Sequence, residues 1–202
     1  HAMVGWLPGG MGHVNVASSV VFGGISGSSV ADIASLGAVE IKAMERHGFD
    51  KGYAVGMTLA TSTLSSIIPP SILMVIAGSI ANQSIGTLLV AGLVPGLFIA
   101  AALMVYNHVH SVRHGIARPS PIDWPQVGRA AVRAVLPMMT PVILLVGILD
   151  GFFTPTEAAA IAVLYTFGIA PLVYRRLTLA DLRQMFVQTA RTSGHILFIA
   201  AT

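Results

Sequence analysis

The residues of this chain best suited to chemistry are serines, threonines and glycines inside two long apolar runs. The first run, 14–39, is interrupted at 23–29 by the sequence GGISGSS. The second run, 53–80, is interrupted at 61–71 by TSTLSSIIPPS. Hydroxyl oxygens and the peptide carbonyls of an unwound segment can coordinate a cation, and broken helices of this kind form the binding sites of secondary transporters.

Both interruptions are predicted to break a helix. Each glycine costs a helix about 1 kcal/mol relative to alanine, and serines at membrane depth must find hydrogen-bond partners. Pro69-Pro70 removes two backbone donors and pushes the preceding residue out of the helical region, so the second helix is expected to break near Ile68. The first run is expected to be a re-entrant hairpin of two half-helices that meet at an irregular tip.

Each candidate site has a structural alternative. Small residues at the first break also suit tight helix packing, and hydroxyls at the second also suit a proline kink in which they bond to the preceding turn. The predicted cation- and substrate-binding residues are Ser26, Gly27, Ser28, Ser29, Thr61, Ser62, Thr63, Ser65, Ser66, Pro69 and Pro70.

Three further polar residues are predicted to support this site: Asn15, Asp32 and Ser71. A carboxylate inside a membrane segment is costly and usually functional, but Asp32 also stands where it could cap the outgoing half-helix. For Asn15 the alternative is a hydrogen bond between helices. His108, His110 and His114 are not spaced to share one helix face, so a basic loop is predicted there and no transition-metal site.

Composition places the chain in a bilayer. Charged residues make up 9% and hydrophobic residues 54%, whereas globular domains carry about 25% charged residues, and the mean hydropathy is +0.80. The basic residues lie between apolar runs, which fits the positive-inside rule rather than nucleic-acid binding. Without cysteine there is no disulfide framework, and residues 23–29 lack the Gly-Lys-Ser/Thr ending of a phosphate loop, which argues against ATP hydrolysis.

The remaining chain is predicted to be a series of membrane helices, giving an all-α, polytopic membrane protein. The apolar segments are 87–106, 134–150, 154–174 and 183–202. The polar loop 40–51 and the polar stretch 107–128 are expected to be cytoplasmic, and a surface helix that carries Arg129 and Arg133 is predicted to start at 123–126. Capping boxes are predicted at Thr154–Glu157 and Thr178–Asp181. Gly92 and Gly96 match a helix-packing motif, although Pro95 argues against a dimer face.

Four motifs in register carry a family resemblance: HVNV at 13–16, GISGSSVAD at 24–32, IIPPS at 67–71 and FTPTEAAA at 153–160. In this order and spacing the chain resembles the large permease subunit of tripartite ATP-independent periplasmic transporters, over nearly its whole length. The family usually carries Gly-Pro where this chain has Ser65-Ser66.

The resemblance implies an elevator-type secondary transporter of the ion transporter superfamily. Such a protein imports an organic acid, such as a C4-dicarboxylate or sialic acid, across the bacterial inner membrane, with sodium as the coupling ion and no other cofactor. A small membrane subunit and a periplasmic substrate-binding protein are the implied partners, together with membrane lipids. On this basis 1–86 is the first hairpin and broken helix of the transport domain, 87–150 is scaffold, and 151–202 begins a second repeat that continues past Thr202.

Three alternatives remain at this point. One is a different ion-coupled anion transporter of the same superfamily. A second is a passive structural membrane subunit, which would leave the two polar breaks unexplained. The third is an intramembrane protease, for which Asp32 and Asp150 are the only candidate pair and neither lies in a matching motif.

Overall fold

The computed structural model of the chain describes residues 7–116, 124–170 and 179–201. Within these ranges all regular structure is helical, as the sequence predicts. The helices are α1 (Gly10–Ser26), α2 (Ser29–Asp32), α3 (Ala38–Arg46), α4 (Lys51–Ser62), α5 (Ile72–Ile80), α6 (Ile85–Arg113), α7 (Trp124–Leu149), α8 (Pro155–Ile169) and α9 (Leu179–Ala201). The chain divides into two compact units, one ending at Ala162 and the other beginning at Val163.

The first apolar run is broken, but over only two residues. Helix α1 continues through Ser26 and ends at Gly27, whose φ of 62° is left-handed. The Ser28 side chain then accepts a hydrogen bond from the Ala31 amide at 3.4 Å and caps α2. A π-helical turn, Ile33–Gly37, joins α2 to α3, so that 29–46 forms one helical arm. The predicted loop at 40–51 is therefore wrong over 40–46, where strong helix formers continue the helix up to Gly48 (φ 89°).

The second run breaks where the prolines predict. Helix α4 gives way to a 3-10 turn, Thr63–Ser66, and residues 67–71 are not helical. Ser71 then caps α5 by accepting a hydrogen bond from the Met74 amide at 3.3 Å. The predicted break near Ile68 is confirmed.

Helix α6 is the one helix in the described ranges that is long and apolar enough to cross a membrane, with a mean hydropathy of 2.5 over its most apolar window. The apolar helices 134–149 and α8 are shorter. Helix α6 extends beyond residue 106 to Arg113, so the polar stretch predicted from residue 107 is wrong over 107–113. The helix start predicted at 123–126 is confirmed, because α7 begins at Trp124. The extension of α6 is stabilised by tertiary contacts, because Asn107 and Ser111 are fully buried.

The predicted capping box at the start of α8 is confirmed. The Thr154 amide donates to Glu157 Oε2 at 2.8 Å, and the Glu157 amide donates to Thr154 Oγ1 at 3.3 Å. The second predicted box includes Thr178, which lies outside the described residues. The division into transport and scaffold segments and the cytoplasmic placement of the loops stay predictions.

Glycines let two helices approach the second break closely. A Cβ at Gly23 of α1 would lie 2.7 Å from Ser65 Cα, and a Cβ at Gly92 of α6 would lie 2.6 Å from the Ile67 carbonyl oxygen. A Cβ at Gly96 would lie 2.7 Å from Ile68. The glycine pair of α6 therefore packs against the broken segment of its own chain.

Replacing Gly23 by Ala is expected to destabilise the protein by about 1–3 kcal/mol, because the new methyl group meets backbone rather than a movable side chain. Gly56→Ala is the matched control, since Gly56 lies within α4 with no atom within 4 Å of an added Cβ. That substitution should leave stability unchanged or raise it by up to about 1 kcal/mol. Thermal unfolding in detergent measures both. Equal midpoints for the two variants would contradict the close approach of α1 to Ser65.

Candidate functional site

The tip of the first break touches the second break through the backbone. The Ile72 amide at the start of α5 donates to the Gly27 carbonyl oxygen at 3.2 Å. A Cβ at Gly27 would lie 2.3 Å from the Pro70 carbonyl oxygen, and the positive φ adds a second reason for glycine. The structure therefore brings together the two interruptions that the sequence placed about 40 residues apart.

Serines complete this junction. Ser66 Oγ donates to Ser29 Oγ at 2.9 Å and accepts from the Ser29 amide at 3.2 Å. Ser71 Oγ donates to the Ser66 carbonyl at 2.5 Å. Ser26 Oγ accepts from the Ser28 amide at 3.4 Å. Ser66 thus joins the outgoing helical arm to the broken segment.

Asp32 lies behind the tip and is buried, with 2% of its surface exposed. Ser65 Oγ donates to Asp32 Oδ2 at 2.8 Å and also lies 3.2 Å from the Ser19 carbonyl oxygen. Asp32 does not cap the outgoing arm, because Ser28 occupies the cap position. Among the described residues, Asp32 Oδ1 and Ser19 Oγ are buried and have no hydrogen-bond partner. Buried polar atoms are rarely left unpaired, so this pocket of oxygens has capacity for a further ligand.

Asn15 holds α1 against α4. Its Nδ2 donates to Thr58 Oγ1 at 2.8 Å, and its Oδ1 accepts from Thr61 Oγ1 at 2.5 Å. The side chain is fully buried. This bond pair fixes the position of α4 immediately before the 3-10 turn, and it corresponds to the interhelical hydrogen bonding that was the alternative for Asn15.

Three predicted site residues are not brought to the tip. Thr61 Oγ1, besides its bond to Asn15, donates to the Thr58 carbonyl at 3.1 Å, Ser62 Oγ donates to the Leu59 carbonyl at 2.8 Å, and Thr63 Oγ1 donates to the Ala60 carbonyl at 2.7 Å. Thr63 is also exposed. These hydroxyls bond to the preceding turn, which is the alternative interpretation given for the second break.

A cavity of about 560 Å³ opens beside the tip. Ser26, Pro70 and Ser71 line the side near the two breaks, and most other lining residues are aliphatic side chains of α5, α6 and α7. Among the described residues, no charged side chain lines the cavity. An anion bound here would therefore depend for charge compensation on a helix N-terminus such as that of α5, or on a cation at the tip.

Ser19 and Glu40 are among the buried polar residues that the sequence analysis missed. Glu40 is 6% exposed, and its carboxylate accepts a hydrogen bond from Ser18 Oγ. Glu40 directly follows the apolar run 14–39. Burial raises the pKa of its carboxyl, and the negative charge of Asp32 raises that pKa further, whereas the hydrogen bond from Ser18 lowers it. The sequence signal for Glu40 was its spacing of eight residues from Asp32, because residues about two helical turns apart lie on the same face of a helix. No sequence pattern marked Ser19.

The sequence profile of one family covers this chain from end to end. Residues 1–202 match the DctM component of the tripartite ATP-independent periplasmic transporters. The chain belongs to this family of membrane permeases, as its four motifs indicated.

Relatives of the chain are named for different solutes. The chain is 37% identical over 201 residues to the sialic acid TRAP transporter permease protein SiaT of Haemophilus influenzae, covering 100% of this chain and 33% of that protein. It is 38% identical over 193 residues to the sialic acid large permease SiaM of Vibrio cholerae, covering 96% and 45%. It is 37% identical over 174 residues to the C4-dicarboxylate large permease DctM of Vibrio cholerae, covering 86% and 38%. The chain thus spans a third to less than half of the length of these three relatives.

Asn15→Ala is expected to destabilise the protein by about 2–3 kcal/mol, because it leaves the buried Thr58 hydroxyl without its donor and removes one of the two acceptors of Thr61. Thr63→Ala should change stability by less than about 0.5 kcal/mol, since that hydroxyl is exposed and bonds only within its own helix. Denaturant or thermal unfolding of the purified permease compares the two variants. A loss with Thr63→Ala as large as with Asn15→Ala would contradict the assignment of Asn15 as the link between α1 and α4.

Proposed function

We propose that this chain forms part of a sodium-coupled permease that imports an organic acid across the bacterial inner membrane. The single observation that supports this best is the junction of the two helix breaks at Gly27 and Ile72, beside a buried carboxylate with an unpaired oxygen. Membership of the permease family supplies the class of activity.

Sodium is the proposed coupling ion because the polar atoms at the junction are oxygens. Hydroxyls and carbonyls of Ser26–Ser29 would hold it from the tip, and those of Ser65, Ser66, Pro69 and Pro70 from the second break. Asp32 supplies the negative charge that a monovalent cation needs in a buried site. Its unpaired Oδ1, together with the unpaired hydroxyl of Ser19, fits a cation better than a dry packing interface.

The substrate is proposed to bind on the cavity side of the tip. The neutral lining and the nearby N-terminus of α5 suit a carboxylate whose charge is compensated by the bound cation. Sialic acid and C4-dicarboxylates are the candidate substrates, because related permeases are named for them. A small membrane subunit and a periplasmic binding protein are the proposed partners. The tip is proposed to be a re-entrant hairpin that moves across the membrane in an elevator mechanism.

Asp32→Asn in the full-length permease is expected to raise the sodium concentration for half-maximal uptake at least about tenfold. The substitution keeps the shape of the side chain and removes its charge. Loss of a carboxylate–sodium interaction that contributes about 1.4 kcal/mol lowers the affinity for sodium tenfold. Ser66→Ala, which removes the contact to Ser29, should act in the same direction. Uptake into liposomes reconstituted with the partners, measured against external sodium, gives the result.

Ser84→Ala is the matched control for these variants. Ser84 is exposed and caps α6, and its side-chain hydrogen bonds are to Thr87 of the same helix rather than to either break. Its loss should lower thermal stability slightly and leave the sodium dependence unaltered. Unchanged sodium dependence in Asp32→Asn, with normal amounts of folded protein, would overturn the cation site.

A further inference from the structure

Glu40 is a carboxylate in an interior that offers it little compensation. It lies on α3, in the outgoing arm, and is 94% buried on the side that contacts α1. Its one hydrogen bond among the described residues comes from Ser18 of α1. A buried ionised carboxylate is costly unless a cation or several donors hold it, and a group that lacks them takes up a proton instead.

The basic residues near Glu40 in sequence do not compensate it. Lys42 and Arg46 on the same helix are exposed, and neither bonds to the Glu40 carboxylate. From α2 the nearest charge is that of Asp32, which has the same sign and therefore opposes ionisation further.

The other helices packed against α3 add no cation either. The titratable groups they contribute are His13 of α1, which is buried, and Lys51 and Tyr53 of α4, of which Lys51 is exposed. None of these bonds to Glu40. Asp50, the cap of α4, is exposed, and its carboxylate accepts a hydrogen bond from the Gly52 amide of its own helix.

We propose that Glu40 is a proton-binding site, at which a carboxylic acid enclosed between α1 and the outgoing arm takes up a proton from water and returns it to water as the pH rises. The neutral form keeps a hydroxyl that can still bond to Ser18, so protonation leaves the contact between the two arms intact. The site goes beyond the proposed function, because it needs neither sodium nor substrate.

The sign of the pH effect follows from burial. Because burial raises the pKa of Glu40 above its unfolded value, the packed arms have full stability below the ordinary titration range of glutamate and lose stability as the pH rises through the folded-state pKa.

Infrared spectroscopy of the purified full-length permease tests the site directly. The carbonyl stretch of a protonated carboxylic acid should persist at a pH at which exposed glutamates are ionised, and it should be weakened in Glu40→Gln. Glu45→Gln is the matched control, because Glu45 lies on the same helix and is exposed, and it should leave that band intact. Ser18→Ala should shift the loss of the band to higher pH, since Ser18 favours the ionised form.

Thermal unfolding across pH gives a second measurement. The unfolding midpoint should fall with rising pH in the parent and in Glu45→Gln, and fall less in Glu40→Gln. A purely structural role would give a constant offset between Glu40→Gln and the parent at every pH. An infrared band identical in the parent and in Glu40→Gln, or a constant offset, would overturn the proton site. The sodium dependence of uptake reports on Asp32 separately, so the two proposals can fail independently.

Discussion

Each helix break frees peptide groups that must be paired inside the protein, and the architecture depends on how they are paired. Water is scarce in the interior of a membrane permease, so an unpaired amide or carbonyl there costs several kcal/mol. The Gly27 carbonyl takes its hydrogen from Ile72, and Ser28 and Ser71 cap the helices that restart. Each break therefore supplies hydrogen-bond partners for the other. Straightening either segment would leave peptide groups of the other segment unpaired.

Close approach and polarity are linked at this junction. Without side chains at Gly23 and Gly92, the broken segment 63–68 lies between α1 and α6 with backbone against backbone. That proximity places the Ser65 hydroxyl within reach of both Asp32 and the Ser19 carbonyl. The outgoing arm then carries two buried carboxylates, Asp32 and Glu40, each held by one serine of a neighbouring element. Two carboxyl groups are thus concentrated behind the tip, whereas none of the described residues that line the cavity in front of the tip is charged.

The sequence predicted the helical class, the two breaks and the capping box at Thr154, because proline, glycine and capping residues act locally. It missed the helical state of 40–46 and 107–113. Polar residues suggested loops there, but Glu40 and Asn107 are buried by tertiary contacts that no local pattern shows. The sequence also grouped Thr61, Ser62 and Thr63 with the tip, although the direction of a hydroxyl depends on helix rotation. The sodium site, the hairpin's path through the membrane and the elevator motion remain predictions.

One contact bears on how such a chain is made. Asn107 Nδ2 donates to the Gly9 carbonyl oxygen at 3.0 Å, across 98 residues of sequence, and Tyr53 donates to the same side chain. An added Cβ at Gly12 would overlap Asn107, so the start of α1 fits closely around this residue. Since ribosomes add about 5–20 residues per second, α1 must wait about 5–20 s after leaving the ribosome before α6 can receive it. During that interval the Gly9 carbonyl lacks its bond from Asn107, so the start of α1 reaches its final packing only after α6 has been synthesised.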